Sequence, residues 1–398
     1  MPQDENTSAM KYVDEFRDPH RAQTLLAAIT AEMQPQRQYR LMEFCGGHTH
    51  AIHRFGIPAL LPENIRLIHG PGCPVCVLPM NRLDQALELA QRTGVILCSY
   101  GDMLRVPGSP DNHRANTLLR ARAQGSDVRM VYSTTEALKI AADNPQREVV
   151  FFAIGFETTT PPTAVALREA RRLQLNNFSV FCNHVLTPPA LRAILQEERR
   201  HDGSRLDGII GPAHVSTVIG SAPYVPVANE FNVPIVIAGF EPLDVLHSIL
   251  LLLRQIHAGE ARVETQFTRA VTSNGNQKAQ TLMNEVFVVR EEFEWRGLGM
   301  LPNSALAIRP DYRHWDAETR FQLAWQPWQD HKACECGAVL RGAIEPAQCK
   351  IFGTACTPET PVGPCMDSSE GACAAHFLYG PHSNKVMRDK TGSRFSPG

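Results

Sequence analysis

The chain is 398 residues long, which suggests about two or three units at the usual ~100–200 residues each. Hydrophobic residues at 43% with 20% charged are ordinary for a globular protein, and a formal net charge of −2 gives no general attraction for nucleic acid or anionic lipid. The N-terminal stretch is acidic and polar, unlike a secretory signal, and apolar runs such as 249–253 are far short of the ~20 residues that span a bilayer. A soluble cytoplasmic protein is expected, and there eleven cysteines point to metal ligands, redox thiols or small core residues, not structural disulfides.

Residues 1–9 read as a disordered extension. Asp18-Pro19 has the form of an N-cap followed by proline at the first helical position, opening a helix to about Met33. From residue 40, short β-rich runs at 40–44, 65–69, 95–99, 128–132, 149–154, 178–182, 208–210 and 234–238 alternate with amphipathic stretches at 81–93, 135–144, 162–173 and 243–256. This is an α/β pattern, and eight runs fit two similar, doubly wound, four-stranded α/β units, 40–145 and 146–258, divided where Asn144-Pro145 ends a helix. Gly155-Phe156-Glu157 recurs as Gly239-Phe240-Glu241, and Gly70-Pro71 as Gly211-Pro212, a weak echo between halves. Past about 260 the alternation fades. Residues 330–380 become rich in Cys, Pro and Gly, and 382–398 read as a disordered polar tail.

The residues with chemical character follow the predicted strands. Cys45-Gly46-Gly47-His48-Thr49-His50 comes after the first, Gly70-Pro71-Gly72-Cys73-Pro74-Val75-Cys76 after the second, and Glu157, His184 and Glu241 after later ones. Carboxyl ends of strands are the ligand-binding edge of an open α/β sheet, so two such edges facing each other would make a cleft of thiols, imidazoles and carboxylates. The Cys73–Cys76 spacing lets both sulfurs meet one metal or join as a redox disulfide. Cys45 on a neighbouring loop favours a soft three-thiolate metal site for iron, zinc or copper. His48, Glu157 and His184 are candidate acid–base or supporting groups, with loop fixing by hydrogen bonds as the plain alternative. Cys98 reads as core, and Cys182 as either. Cys334, Cys336, Cys349, Cys356, Cys365 and Cys373 fall within forty residues without paired zinc knuckles. An iron–sulfur cubane suits them, with zinc and free thiols the alternatives.

The segments MEFCGGHTHAIHRFGI, HGPGCPVCVLP, IGFETTTPPTA, CNHVLTPPAL, GPAHVSTVIG, AGFEPLDVL, CECGAVLRG, CKIFGTACTPETPVGPCM and SSEGACAA resemble the HypD family of NiFe-hydrogenase maturation factors over residues 10–380. The resemblance implies two similar α/β domains and a third domain with a 4Fe–4S cluster, here 10–39 together with 259–381. It implies a scaffold, paired with the chaperone HypC, on which iron acquires two cyanides and one carbon monoxide. The cyanide would come from HypE, charged by HypF. It carries iron binding to Cys45, Cys73 and Cys76, and cluster binding to Cys334, Cys349, Cys356 and Cys373 in the spacing C-x14-C-x6-C-x16-C, with Cys336 and Cys365 as alternates. The competing readings are a cytoplasmic thiol–disulfide oxidoreductase with an iron–sulfur cluster, and an interaction protein with a structural cluster. Pro79 counts against the first, because it interrupts the helix usually found behind a redox CxxC.

Overall fold

The structure, a computed structural model, describes residues 14–109, 116–200, 205–324, 328 and 331–380. The expected extension at 1–9 and the tail at 382–398 lie outside the described residues.

All eight predicted strands form: β1 Tyr39–Glu43, β2 Ile65–His69, β3 Val95–Ser99, β4 Asp127–Met130, β5 Glu148–Gly155, β6 Phe178–His184, β7 Gly208–Gly211 and β8 Ile235–Ile237. A ninth parallel strand, β9 Val263–Thr265, was not foreseen, being only three residues long. The α/β class is as expected, with two wholly parallel sheets, β2-β1-β7-β8-β9 and β4-β3-β5-β6.

The strands do not divide at residue 145. The middle of the α/β region supplies the four-stranded sheet, while β7, β8 and β9 return to β1 and β2. Asn144 does cap the helix Thr134–Asp143, but β5 then continues the sheet already begun by β3 and β4. Strands buried on both faces read as continuous apolar runs, and such a run does not say which edge it pairs with. β1 has two edges and takes a neighbour from each end of the region.

Met42, Ile209 and Ile237 of one sheet and Leu97, Phe152 and Phe181 of the other share a single apolar core. The opposite faces have cores of their own. Cys98 and Cys182 belong to the one on the four-stranded sheet, so both are packing residues. The helix Pro19–Glu32 starts where expected, with Asp18 accepting from the His20 and Arg21 amides. Its Ile29 joins Leu41, Leu246 and Leu250 on the five-stranded sheet, and Arg254 of the helix Pro242–Ala258 pairs with Glu32 at 3.1 Å. It therefore packs on that sheet and not with the cysteine-rich region; its apolar face matches the long helix that contains the 249–253 run. Two antiparallel pairs, β10 Phe287–Val289 with β13 Leu306–Ile308 and, between them in the chain, the hairpin of β11 Glu292–Trp295 with β12 Gly299–Pro302, lead into the cysteine-rich segment. Among the described residues no helix is long and apolar enough to cross a membrane.

Candidate functional site

β1 and β2 pair in parallel register, so their carboxyl ends deliver Cys45 and the Gly70–Cys73 loop side by side. Cys45 is extended (φ −155°) and caps the helix Gly46–Arg54; Cys73 caps the single turn Pro74–Val77. The two loops touch, the Gly46 amide donating to the Gly72 carbonyl at 3.0 Å. Cys73 Sγ accepts from the Cys76 amide at 3.3 Å and donates to Ser368 Oγ at 3.3 Å. After Cys76 the chain breaks at Pro79, and a new helix runs Met80–Gln91.

A cavity of about 280 Å³ opens here, lined by Cys45, Tyr100, Phe156, Thr159, His214 and Glu370 among others. Its walls come from the loops after β1, β2, β3, β5, β6 and β7, drawn from both sheets, and from the segment after Cys365. Cys45 is buried and its thiol is pushed up to about 12, first by burial and then by the Glu370 and Glu43 carboxylates. It keeps its proton in neutral solution until a cation or a conformational change favours the thiolate.

The other candidates surround the cavity without entering it. His48 is fully buried and its Nε2–H reaches the Ala238 and Gly239 carbonyls at 3.1 and 3.0 Å, tying the Cys45 helix to the end of β8. Glu157 accepts from the Thr187 amide and hydroxyl, both at 2.9 Å; burial lifts its carboxyl to about 7. His184 contacts Thr163 Oγ1 at 2.9 Å and is lowered by burial to about 4. Glu241 caps the helix Pro242–Ala258 and pairs with Arg17. Sequence reasoning did not select Ser368 or Glu370, whereas His214 ends the Gly211-Pro212-Ala213-His214 segment that follows the seventh predicted strand. Ser368 and Glu370 lie between Cys365 and Cys373 and so read as part of the cysteine cluster; an acidic residue flanked by small ones was the available signal.

The cysteine-rich segment folds back onto the CxxC turn. Cys76 contacts Cys365, Cys365 contacts Cys336, and Cys336 contacts both Cys334 and Cys373, each through its thiol. Cys356 Sγ accepts from the Val362 amide at 3.4 Å, and Cys349 lies 4.0 Å from the Ala333 carbonyl, beside Cys334. All eleven cysteines are free. Among the described residues no group of three or more His, Cys, Asp or Glu side chains is set to hold a metal as it stands. The donor chemistry fits iron all the same: the thiols are soft and crowded together. Gly363 lies against the sulfurs of Cys334 and Cys336, where a β-carbon would come within 2.5 and 2.7 Å.

The family described as "Hydrogenase formation hypA family" (HypD) matches residues 20–380. The hydrogenase maturation factor HypD of Azotobacter vinelandii is 62% identical over 95% of this chain and 99% of its own length. The hydrogenase expression/formation protein HupD of Azotobacter chroococcum mcd 1 is 63% identical, covering 93% and 97%. HypD of Escherichia coli K12 is 45% identical, covering 93% and 98%.

Proposed function

This chain belongs to the HypD family of hydrogenase maturation factors, and we propose that it is the scaffold on which, with a HypC-type chaperone, one iron receives two cyanides and one carbon monoxide. The observation that carries this reading is the buried Cys45 thiol in a cavity fed by both sheets, with the Cys73–Cys76 loop packed against its backbone. The cargo iron is held by Cys45, Cys73 and Cys76. A small, thiol-bearing cavity lined partly by polar groups such as Ser368 and Glu370 suits cargo that must later be released. His48, Glu157 and His184 act here by holding the strand ends that shape the cavity.

Cyanide is delivered by a HypE-type partner, charged upstream by a HypF-type enzyme. Reductive cleavage of a thiocyanate S–C bond takes two electrons and yields a thiolate and cyanide. Oxidation of two thiols to a disulfide supplies two electrons and two protons. Cys336 with Cys365, whose thiols are in contact, is a pair suited to that donation while Cys73 and Cys76 hold the iron. Cys334, Cys349, Cys356 and Cys373 are the proposed ligands of a 4Fe–4S cluster, which when bound supplies a one-electron store.

The same series of thiols favours a second reading, a thiol–disulfide oxidoreductase. Iron analysis and infrared spectra of the anaerobically purified complex with the chaperone separate the two. The scaffold reading requires cyanide and carbonyl stretches on an iron beyond the cluster, and the oxidoreductase reading, which keeps the iron–sulfur cluster, requires neither the extra iron nor the stretches.

A further inference from the structure

Glu43 and His69 are register partners at the ends of β1 and β2, so their side chains leave the sheet together. Glu43 is fully buried, and its carboxylate is the meeting point of three donors. Oε2 accepts from the Cys45 amide at 3.0 Å, and Oε1 accepts from the Thr49 hydroxyl and from His69 Nδ1, the latter at 2.9 Å. The other ring nitrogen of His69, Nε2, faces His53 Nε2 at 3.0 Å, one of the pair donating and the other accepting. Burial and the neighbouring imidazoles of His69 and His376 keep His53 neutral, its pKa lowered to about 3. Behind the rings lies a second cavity of about 130 Å³, lined by His53, His69 and His376 with Ile52, Arg66 and Val339, separate from the one that holds Cys45.

We propose that His69 and His53 are positioning residues for Cys45, acting through Glu43. The imidazole line aims the Glu43 carboxylate, the carboxylate fixes the Cys45 amide and Thr49, and the rear cavity thereby has a mechanical hold on the loop that carries the cleft thiol. The inference concerns the loop and stands whether or not Cys45 carries iron.

The test is timed carboxamidomethylation of anaerobically purified full-length protein at one pH, with the Cys45 peptide quantified by mass spectrometry. His69→Ala should speed labelling about tenfold, the factor that one hydrogen bond to a charged group is worth, and His53→Ala should speed it by a smaller factor. His69→Asn puts an amide N–H where Nδ1–H stood and should restore the slow rate. Unchanged Cys45 labelling in both alanine variants would overturn the proposal. So would equally fast labelling in His69→Ala and His69→Asn, which marks loss of bulk alone. If His69→Ala does not fold, His53→Ala and His69→Asn decide: fast in the first with slow in the second supports the proposal, and any other pairing overturns it.

Discussion

Gly72 leaves no space for a side chain beside Cys45: a β-carbon at residue 72 would lie 2.5 Å from the Cys45 nitrogen and 2.6 Å from its Cα. Both neighbours are backbone, so neither can swing aside. Gly72→Ala should therefore force the two cysteine loops apart. The expected cost is about 1–3 kcal/mol, the usual range for overpacking, with hydrogenase maturation lost in a complemented deletion strain. Full maturation with an unchanged melting temperature would show that the loops need not touch.

Cys45 and Cys98 make a matched pair for separating chemistry from packing. Cys45 lines the cavity, whereas Cys98 is buried at 0% exposure in the core beneath the four-stranded sheet. Cys45→Ala should abolish maturation while leaving fold and cluster in place. Cys98→Ala should cost about 1 kcal/mol, as for a small core truncation, and leave maturation working. Equal hydrogenase activity in the two strains would contradict the assignment.

Glu157 and His184 should tilt stability with pH in opposite senses. The folded carboxyl of Glu157, at about 7, lies above its ordinary 4.5. The folded state therefore holds the proton more tightly, and stability falls as pH rises from 4.5 through 7. The loss is up to about 3 kcal/mol across that window. His184, at about 4 against 6.5, loses stability as pH falls through that lower window. Between pH 5 and pH 8 the two nearly offset each other in wild type, so denaturant titrations at those values should show Glu157→Gln gaining about 2 kcal/mol as pH rises while wild type changes little; a variant with the wild-type pH dependence would place the titration elsewhere.

Anaerobically prepared protein should be brown and contain about four irons per chain beyond any cargo, as a cubane requires. Ser at Cys349 or Cys356 should remove the colour. Ser at Cys365, which contacts Cys76 and Cys336, should keep the colour and impair maturation instead. A colourless protein with stoichiometric zinc would contradict the cluster assignment.

The strand positions were legible because buried parallel strands are dense apolar runs, and every motif placed past such a run does sit at a carboxyl end. Sheet membership was not legible, since nothing in the pattern of β7 says that it pairs with β1 and not with β6. Likewise Cys45 and the CxxC loop could be read from the sequence as neighbours, because they follow two successive predicted strands. The role of Glu43 could not. It looks like an ordinary strand residue until β1 and β2 are set in register and His69 arrives beside it. Glu370 was hidden for a similar reason, since its place in the cavity depends on how the segment between Cys365 and Cys373 folds back over Cys45.

Infrared spectroscopy of the anaerobically purified complex with the proposed HypC-type chaperone, made in cells that also contain the proposed cyanide-delivering partners, tests the scaffold reading most directly. Wild type should show cyanide and carbonyl stretches on bound iron, and Cys45→Ala should lose them while keeping its cluster absorbance. Wild-type complex with iron but without those bands, or Cys45→Ala with all of them, would contradict it.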